Sequence, residues 1–221
     1  MRMLDWPKPA VRVYHAPMGK KLLAHEYYKA PPFDVVLDPG RIRGRWHEKF
    51  GRQAPLHVEI GMGLGLHLVE YARRHPEMNH VGLEMKMHRI YTARQKALRH
   101  GVKHIRFIPG DAIRSIEAFA DDEVDRLTLL FSDPWPRDQD AHKRLTAPSY
   151  IALYQRVLRP GGVLHFRTDD PGLFMFSKDT LEAAGFQLQI EVEIDRIKTD
   201  FEKRWLEAGR QIYGVDAVAP G

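Results

Sequence analysis

The chain has 221 residues, of which 43% are hydrophobic and 29% charged, a composition typical of a globular protein with one ordinary core. It contains no cysteine, which excludes disulfide bonds, thiolate metal ligands and cysteine nucleophiles. No apolar run approaches the ~20 residues that cross a bilayer, and residues 1–21 lack the apolar core of a signal peptide, so we expect a cytoplasmic protein without a membrane partner.

The leading segment, residues 1–54, is basic and rich in proline, and we interpret it as an extended arm on the core. Residues 1–55 hold eleven Lys and Arg against five Asp and Glu, whereas the remainder is nearly neutral, which indicates a polyanionic partner. Its densest part combines arginines with aromatic rings: Arg41, Arg43, Arg45, Trp46 and Phe50. Such a pattern suits phosphate contact with base stacking. The equal alternative is that the rings anchor the arm in the core and the arginines are solvated.

The next segment is a short apolar strand, Leu56–Ile60, that runs into a G-x-G-x-G turn and then a helical pattern. The glycines are Gly61, Gly63 and Gly65. This unit brings bare backbone and a helix N-terminus up to a nucleotide-like ligand, because a Cβ would block the approach. Glu59 is a poor neighbour for a pyrophosphate and suits a cationic ligand such as the sulfonium of S-adenosylmethionine. A tight turn that binds nothing is the alternative.

Strands and helices alternate along the rest of the chain. We predict strands over 79–83, 104–108, 124–131, 163–167 and 187–192, and helices over 66–74, 87–99, 113–119, 148–158 and 173–184. This alternation predicts an α/β fold, a Rossmann-like parallel sheet with helices on both faces. We therefore divide the chain into the arm, a domain over 55–213 and a flexible tail over 214–221.

Carboxylates occur at the ends of the first four predicted strands: Glu59, Glu84, Asp111 and Asp133. Ligands of such sheets lie beyond the carboxyl ends of the strands. A carboxylate accepts two hydrogen bonds, so Glu84 suits the two ribose hydroxyls, and Asp111 suits the exocyclic amine of adenine. Each acid alone is more often a cap or a solvated charge, but four in register predict a binding site.

The most specific motif is Asp-Pro-Trp-Pro at residues 133–136. Two prolines stiffen the turn and fix an acid and an aromatic ring beside the reactive end of a cofactor. Methyltransferases that act on ring or exocyclic nitrogens carry an acid or amide, proline and an aromatic residue at this point. The alternative is a rigid turn with Trp135 in the core.

With these motifs the sequence resembles the bacterial tRNA (guanine-N7)-methyltransferase family. The matching motifs are E-I-G-x-G-x-G at 59–65, G-x-E at 82–84, D-A at 111–112, D-P-W-P at 133–136, P-G-G at 160–162, T-D at 168–169 and T-x-F-E-x-R at 199–204. The resemblance covers about residues 55–213. It implies a SAM-dependent Rossmann-like enzyme that methylates N7 of a guanine in tRNA. The twelve histidines are scattered and no His, Asp and Glu cluster has metal-ligand spacing, so we expect no metal, and no obligate protein partner is evident.

The resemblance also implies roles for individual residues. Those expected to line the cofactor site are Glu59, Gly61, Gly63, Gly65, Glu84, Asp111 and Asp133, of which Asp133 is also the expected active-site acid. Expected substrate contacts are Arg137, Asp169, Thr199, Asp200, Phe201 and Glu202. Expected RNA contacts from the resemblance are His142, Lys143 and Arg144, and the composition of the arm adds Arg41, Arg43 and Arg45.

One loop departs from the family pattern. After D-P-W-P the family usually has a basic run, roughly K-x-R-H-x-K-R-R, whereas residues 137–144 here read R-D-Q-D-A-H-K-R. Asp138 and Asp140 would repel phosphate. They leave open an N-methyltransferase with another substrate, and a catalytically silent RNA-binding relative is a third possibility. A nicotinamide oxidoreductase fits the glycine spacing worst.

Overall fold

The computed structural model describes residues 26, 29–30, 32–190 and 197–221. Within these ranges the strands are β1 Leu56–Ile60, β2 Asn79–Glu84, β3 Ile105–Pro109, β4 Val124–Leu130, β5 Leu158–Thr168, β6 Gln187–Ile190 and β7 Tyr213–Val218. The helices are α1 Trp46–Phe50, α2 Leu66–Arg74, α3 Met87–Arg99, α4 Ala112–Ile116, α5 Pro148–Val157, α6 Pro171–Ala183 and α7 Asp200–Glu207. Short 3-10 helices cover Pro39–Ile42 and Asp138–Lys143.

The strands form one sheet in the order β3-β2-β1-β4-β5-β7-β6. Strands β1 to β5 are parallel, and β7 lies antiparallel between β5 and β6. Every residue of β1 and β2 is buried, as expected for parallel strands that are covered on both faces. The strand order reverses between β1 and β4, so the crevice that binds ligands in such sheets opens at the carboxyl ends of these two strands.

The predicted α/β fold with a Rossmann-like sheet is confirmed, and many element boundaries agree. The helices predicted over 66–74 and 87–99 coincide with α2 and α3. Strand β5 starts at Leu158, five residues before the predicted start, because residues 159–162 continue the strand instead of forming a separate turn. The last two residues of the strand predicted over 187–192 lie outside the described residues.

The carboxyl-terminal segment differs from the prediction. Residues 214–221 were expected to be a flexible tail, but Tyr213–Val218 form β7, which pairs along both of its edges. The side chains of Val215 and Ala217 are buried in the core. Helix α7, which was not predicted, starts after Thr199, whose hydroxyl accepts a hydrogen bond from the N–H of Glu202 at 3.0 Å. The sheet therefore continues past residue 213.

The faces of the sheet differ in chemistry. Val58, Leu127 and Leu164 lie side by side on one face, in a buried cluster to which α4, α5 and α6 also contribute. A second apolar cluster joins α2 and α3 to β3, with Leu68 and Ile90 at its centre. The apolar stripes of five helices are thus buried against the sheet, which is the main stabilising contribution of this architecture.

The face of the sheet opposite Val58, Leu127 and Leu164 carries a row of buried polar side chains in its middle. His57 lies beside His80, with 3.0 Å between their Nδ1 atoms, and its Nε2 is 3.0 Å from the Thr128 hydroxyl. Farther along the row, Nδ1 of His165 is 2.7 Å from the Asp216 carboxylate. Burial lowers the pKa of His57 well below its ordinary value, that of His80 to about 3 and that of His165 to about 4. These histidines are therefore neutral in the folded protein.

We expect the stability to fall steeply as the pH drops below 6.5. The unfolded chain binds protons at these histidines near pH 6.5, whereas the folded chain resists protonation until about pH 4 at His165 and about pH 3 at His80. The contribution of these histidines to the free energy of unfolding is therefore present above about pH 6.5 and is lost as the pH falls below it. For three such groups the loss between pH 7.5 and 5.5 is on the order of 4 kcal/mol.

Urea unfolding at the two pH values measures this loss. His80→Asn should reduce the pH dependence by about a third, on the assumption that the three groups contribute alike. His142 is exposed, so His142→Asn is the matched control and should leave the pH dependence of the free energy of unfolding unchanged. A free energy of unfolding that is constant across this range would contradict the assignment of neutral buried histidines.

Candidate active site

The glycine turn after β1 combines an open side with a tightly packed side. Gly61, Gly63 and Gly65 all have positive φ, of 71°, 56° and 68°. A Cβ added to Gly61 or Gly63 would meet no atom within 4 Å, so the backbone there borders open space. A Cβ on Gly65 would lie 2.3 Å from that of Ala93, so this glycine lets α2 approach α3 closely. The first two glycines leave room for a ligand and the third fixes the helix.

Glu84 ends β2 and is tied to the glycine turn. Its Oε2 accepts a hydrogen bond from the N–H of Gly63 at 3.1 Å, and its Oε1 accepts one from the N–H of Lys86 at 2.9 Å. The Arg89 guanidinium lies 3.4 Å from Oε2. The side chain is buried, so these contacts hold the carboxylate in one orientation at the strand end. Oε1 keeps a further lone pair for a ligand hydroxyl, whereas Oε2 already accepts from both Gly63 and Arg89.

Glu59 and Asp111 lie on either side of Glu84 in the sequence and have contacts of their own. The Glu59 carboxylate is buried, and its Oε2 is 2.7 Å from Nδ1 of His67 in the first turn of α2. Asp111 is the N-cap of α4, with Oδ1 accepting from the N–H of Arg114 at 3.0 Å. Both side chains are thus fixed, and that they line the cofactor site remains a prediction.

The structure brings the four predicted carboxylates to one edge of the sheet. Because β3, β2, β1 and β4 are adjacent and parallel, Asp111, Glu84, Glu59 and Asp133 follow one another along that edge. Asp133 lies across the switch point from the glycine turn. Three exposed apolar side chains lie near the same edge, just after β1, β2 and β3: Leu64, Met85 and Ile113. Exposed apolar groups beside fixed carboxylates are typical of a small-molecule site.

The turn after β4 is strained and braced. Phe131 and Trp135 adopt positive φ, of 52° and 45°, which is costly for bulky residues and clusters at functional sites. Arg144 donates hydrogen bonds to the carbonyl oxygens of Pro134 at 3.0 Å and Trp135 at 3.1 Å. Asp133 is exposed, and in the described part of the chain no group donates a hydrogen bond to its carboxylate. The turn therefore presents a free acid on a rigid support.

The loop that was expected to repel RNA is internally neutralised. Asp140 is only 5% exposed and forms ion pairs with Arg137 and Lys143, both at 2.6 Å. The ammonium group of Lys143, followed by the Arg137 guanidinium, lowers the pKa of Asp140. Asp138 and His142 are exposed. Repulsion by both acids was expected, but only Asp138 presents an exposed charge.

The residues of the T-x-F-E-x-R motif take different positions. Glu202 is fully buried, and its carboxylate accepts a hydrogen bond from the buried Arg167 at 2.8 Å. This ion pair attaches α7 to β5 in the protein interior. The Phe201 ring lies 5.0 Å from that of Phe131 and so contacts the turn after β4. Thr199 caps α7, and the side chain of Asp200 lies outside the described residues. Direct substrate contact by this motif is still untested.

Asp169 is the remaining expected substrate contact. Its carboxylate lies 3.6 Å from the Arg210 guanidinium, which itself stacks on Trp205 at 3.8 Å from the ring centre. Arg210 and Arg167 were not singled out from the sequence. The only signal in the sequence was that arginines occur near Asp169 and Glu202. Spacing along the chain does not show which arginine pairs with which acid in the fold.

The arm residues lie near the amino end of β4, at the opposite end of the strands from the four carboxylates. Trp46 is 2% exposed and donates from Nε1 to the carbonyl oxygen of Ala118, so it anchors the arm in the core rather than stacking on a base. Arg43 pairs with Glu117 and Asp121, which precede β4, whereas Asp133 follows that strand. The other two expected RNA contacts are exposed and pair with nearby acids, Arg41 with Asp38 and Arg45 with Glu48. Their contact with RNA remains a prediction.

The described residues hold neither a metal-binding group nor a membrane-spanning helix. In residues 32–190 and 197–221, no group of three or more His, Asp and Glu side chains is arranged to hold a metal ion. No helix in the described chain is long and apolar enough to span a membrane.

Comparison with known proteins relates this geometry to a family. Residues 53–215 match a family model described as a putative methyltransferase. The tRNA (guanine-N(7)-)-methyltransferase of Geobacillus kaustophilus is 35% identical over 217 residues, which are 95% of this chain and 98% of that protein. The enzyme of the same name from Staphylococcus epidermidis is 37% identical over 201 residues, 88% of this chain and 93% of the relative. The chain belongs to the tRNA (guanine-N(7)-)-methyltransferase family.

Solved structures place this family member in a broader fold group. The 16S rRNA methyltransferase KamB superposes with a TM-score of 0.61 at 13% identity, covering 80% of this chain and 94% of that one. An antibiotic-related methyltransferase has a TM-score of 0.59 at 16% identity, covering 85% and 96%. At these identities the similarity concerns the fold alone.

The geometry of this tRNA (guanine-N(7)-)-methyltransferase family member also fits a nucleoside-type cofactor. Gly61 and Gly63 border a space that a Cβ would fill, and Glu84 presents a fixed carboxylate beside them. The hydroxyl of Ser132, next to Asp133, is buried and has no hydrogen-bond partner among the described residues. An unsatisfied buried hydroxyl at a strand end is unusual and suits a polar ligand.

Proposed function

We propose that this protein transfers the methyl group of S-adenosylmethionine to N7 of a guanine in tRNA. The observation that carries the proposal is the free carboxylate of Asp133, held on a strained and braced turn across the switch point from an open glycine turn. The relatives named above, which this chain matches over nearly its whole length, support the same substrate.

The cofactor would be held by the residues along the edge of the sheet. Gly61 and Gly63 would let their backbone approach it, Glu84 would accept hydrogen bonds from the ribose hydroxyls, and Asp111 would accept one from the adenine amine. Glu59, paired with His67, would add negative charge near the cationic end of the ligand. When bound, S-adenosylmethionine supplies an electrophilic methyl group on a sulfonium.

The chain's own contribution to the reaction is orientation. N7 of guanine carries a lone pair in the plane of the ring, so no general base has to remove a proton before methyl transfer. Asp133 would accept hydrogen bonds from the N1 and N2 donors of guanine and so direct N7 towards the methyl donor. Glu202 is buried against Arg167 and Asp169 faces Arg210, which leaves Asp133 as the acid best placed for this role. Correct orientation alone is worth several orders of magnitude in rate.

The proposed partner is tRNA in the cytoplasm, bound without a protein partner. Arg137, His142 and Lys143 would contact phosphates near the turn that carries Asp133. A different substrate was suggested by the acids at 138 and 140, but the pairing of Asp140 removes one of those two charges from the surface.

A nucleoside digest of bulk tRNA from cells that lack this protein tests the proposal. We expect N7-methylguanosine to disappear, or to fall by at least one residue per modified tRNA, and to return when the wild-type gene is restored. The Asp133→Ala gene should fail to restore it. Unchanged N7-methylguanosine in the deletion strain would contradict the proposed activity.

A further inference from the structure

Asp140 has an unusual position for an acid in a loop expected to bind RNA. It lies in the 3-10 helix Asp138–Lys143, which follows the D-P-W-P turn, and it is almost completely buried. Its Oδ2 accepts from Nε of Arg137 at 2.7 Å, and its Oδ1 accepts from Nζ of Lys143 at 2.6 Å. Both carboxylate oxygens are thus used by cations three residues before and three residues after it. Such charge-assisted bonds are stronger than hydrogen bonds between neutral groups.

The two cations are connected in turn to the active-site turn. Nζ of Lys143 lies 5.0 Å from the centre of the Trp135 ring, within the range of a cation–π contact. Arg137 directly follows Pro136, the last residue of the D-P-W-P motif. Asp140 therefore connects both ends of the loop to the segment that carries Asp133, in addition to the brace provided by Arg144.

We propose that Asp140 is a positioning residue that holds Arg137 and Lys143 ready for the tRNA backbone and steadies the Trp135 turn. The inference rests on the proposed function, because it concerns how the same site receives its substrate. The group of three side chains keeps a net charge of +1, so it still attracts phosphate. Because the long side chains are already ordered, less conformational entropy is lost when RNA binds.

Asp138 offers a natural comparison two residues away. It lies on the same 3-10 helix and carries the same charge, but it is exposed and forms no ion pair with the described residues. If charge repulsion alone matters, neutralising either acid strengthens tRNA binding. If Asp140 positions the two cations, its neutralisation has the opposite effect to that of Asp138.

The test compares Asp140→Asn, Asp138→Asn and Asp140→Glu with the wild-type protein. Binding of unmodified tRNA is measured by filter binding at 50 and 200 mM salt, and kcat and KM for methylation are measured in parallel. We expect Asp138→Asn to tighten binding about two- to threefold at low salt, and less at high salt. Asp140→Asn should weaken binding and lower kcat/KM by about tenfold, through both KM and kcat, because the cations and the Asp133 turn lose their support. Asp140→Glu restores the charge and should recover part of the loss, while an unchanged urea midpoint of Asp140→Asn separates the loss from a change in folding.

Tighter tRNA binding by both Asn variants, with unchanged kcat, would overturn the positioning role of Asp140. A wild-type protein that binds tRNA without methylating it would contradict the proposed function alone, because the binding measurements do not need catalysis. A wild-type protein that fails to bind tRNA at either salt concentration would contradict both.

Discussion

Replacing Asp133 with alanine should lower kcat/KM for tRNA methylation by roughly 10²-fold or more, because a misoriented base presents N7 poorly to the methyl donor. The side chain is exposed and accepts no hydrogen bond from the described residues, so its removal breaks no contact of the folded chain. The turn itself keeps its two prolines and the hydrogen bonds from Arg144. We therefore expect the urea midpoint to stay unchanged while turnover is lost.

Single-turnover kinetics with saturating cofactor separate this effect from product release. Asp133→Asn is the informative second variant: it keeps the shape but replaces an acceptor with a donor, which would oppose the N1 and N2 donors of guanine. Asp179→Ala, which removes an exposed acid from α6, is the charge-matched control and should retain full activity. A rate loss below about fivefold for Asp133→Ala would remove Asp133 from the proposed role.

Replacing Glu202 with glutamine should destabilise the protein by about 3–5 kcal/mol, the usual effect of removing one partner of a buried ion pair. The Glu202 carboxylate is fully buried and bonds the Arg167 guanidinium, which is itself only 2% exposed. Glutamine carries no charge, so in the variant the Arg167 guanidinium loses this compensating contact. The Thr199 cap of α7 uses the backbone of residue 202 and remains intact.

Urea unfolding at pH 7.5 measures this loss, and Glu207→Gln is the matched control. Glu207 lies on the same helix but is exposed, so its substitution should change the free energy of unfolding by less than about 0.5 kcal/mol. If Glu202 instead contacts the substrate directly, Glu202→Gln would lower kcat/KM while leaving the stability unchanged. That outcome would contradict the supporting role that its burial indicates.

The sequence predicts much of the fold because hydrophobic periodicity is a local signal. Helices α2 and α3 have clear amphipathic patterns, and their ends agree with the prediction. Strand β7 was missed because Gly214, Asp216 and Ala217 have low strand propensity. Its place in the sheet depends on pairing with β5 and β6 rather than on its own composition.

The candidate site shows the same division between local and long-range information. The positions of Glu59, Glu84, Asp111 and Asp133 at strand ends follow from alternation along the chain, and parallel pairing brings them to one edge. The side-chain contacts of the acidic residues do not follow from this alternation. The burial of Asp140 between Arg137 and Lys143, and of Glu202 against Arg167, depends on side-chain contacts that spacing alone does not determine.

The most direct test of the proposed activity compares two tRNA transcripts, one made with guanosine and one with 7-deazaguanosine, which lacks the N7 atom. The purified protein is incubated with each transcript and tritiated S-adenosylmethionine, and the RNA is digested to nucleosides. We predict that only the guanosine transcript is labelled and that its label is recovered as N7-methylguanosine. Equal labelling of the two transcripts, or no labelling of either, would contradict the account.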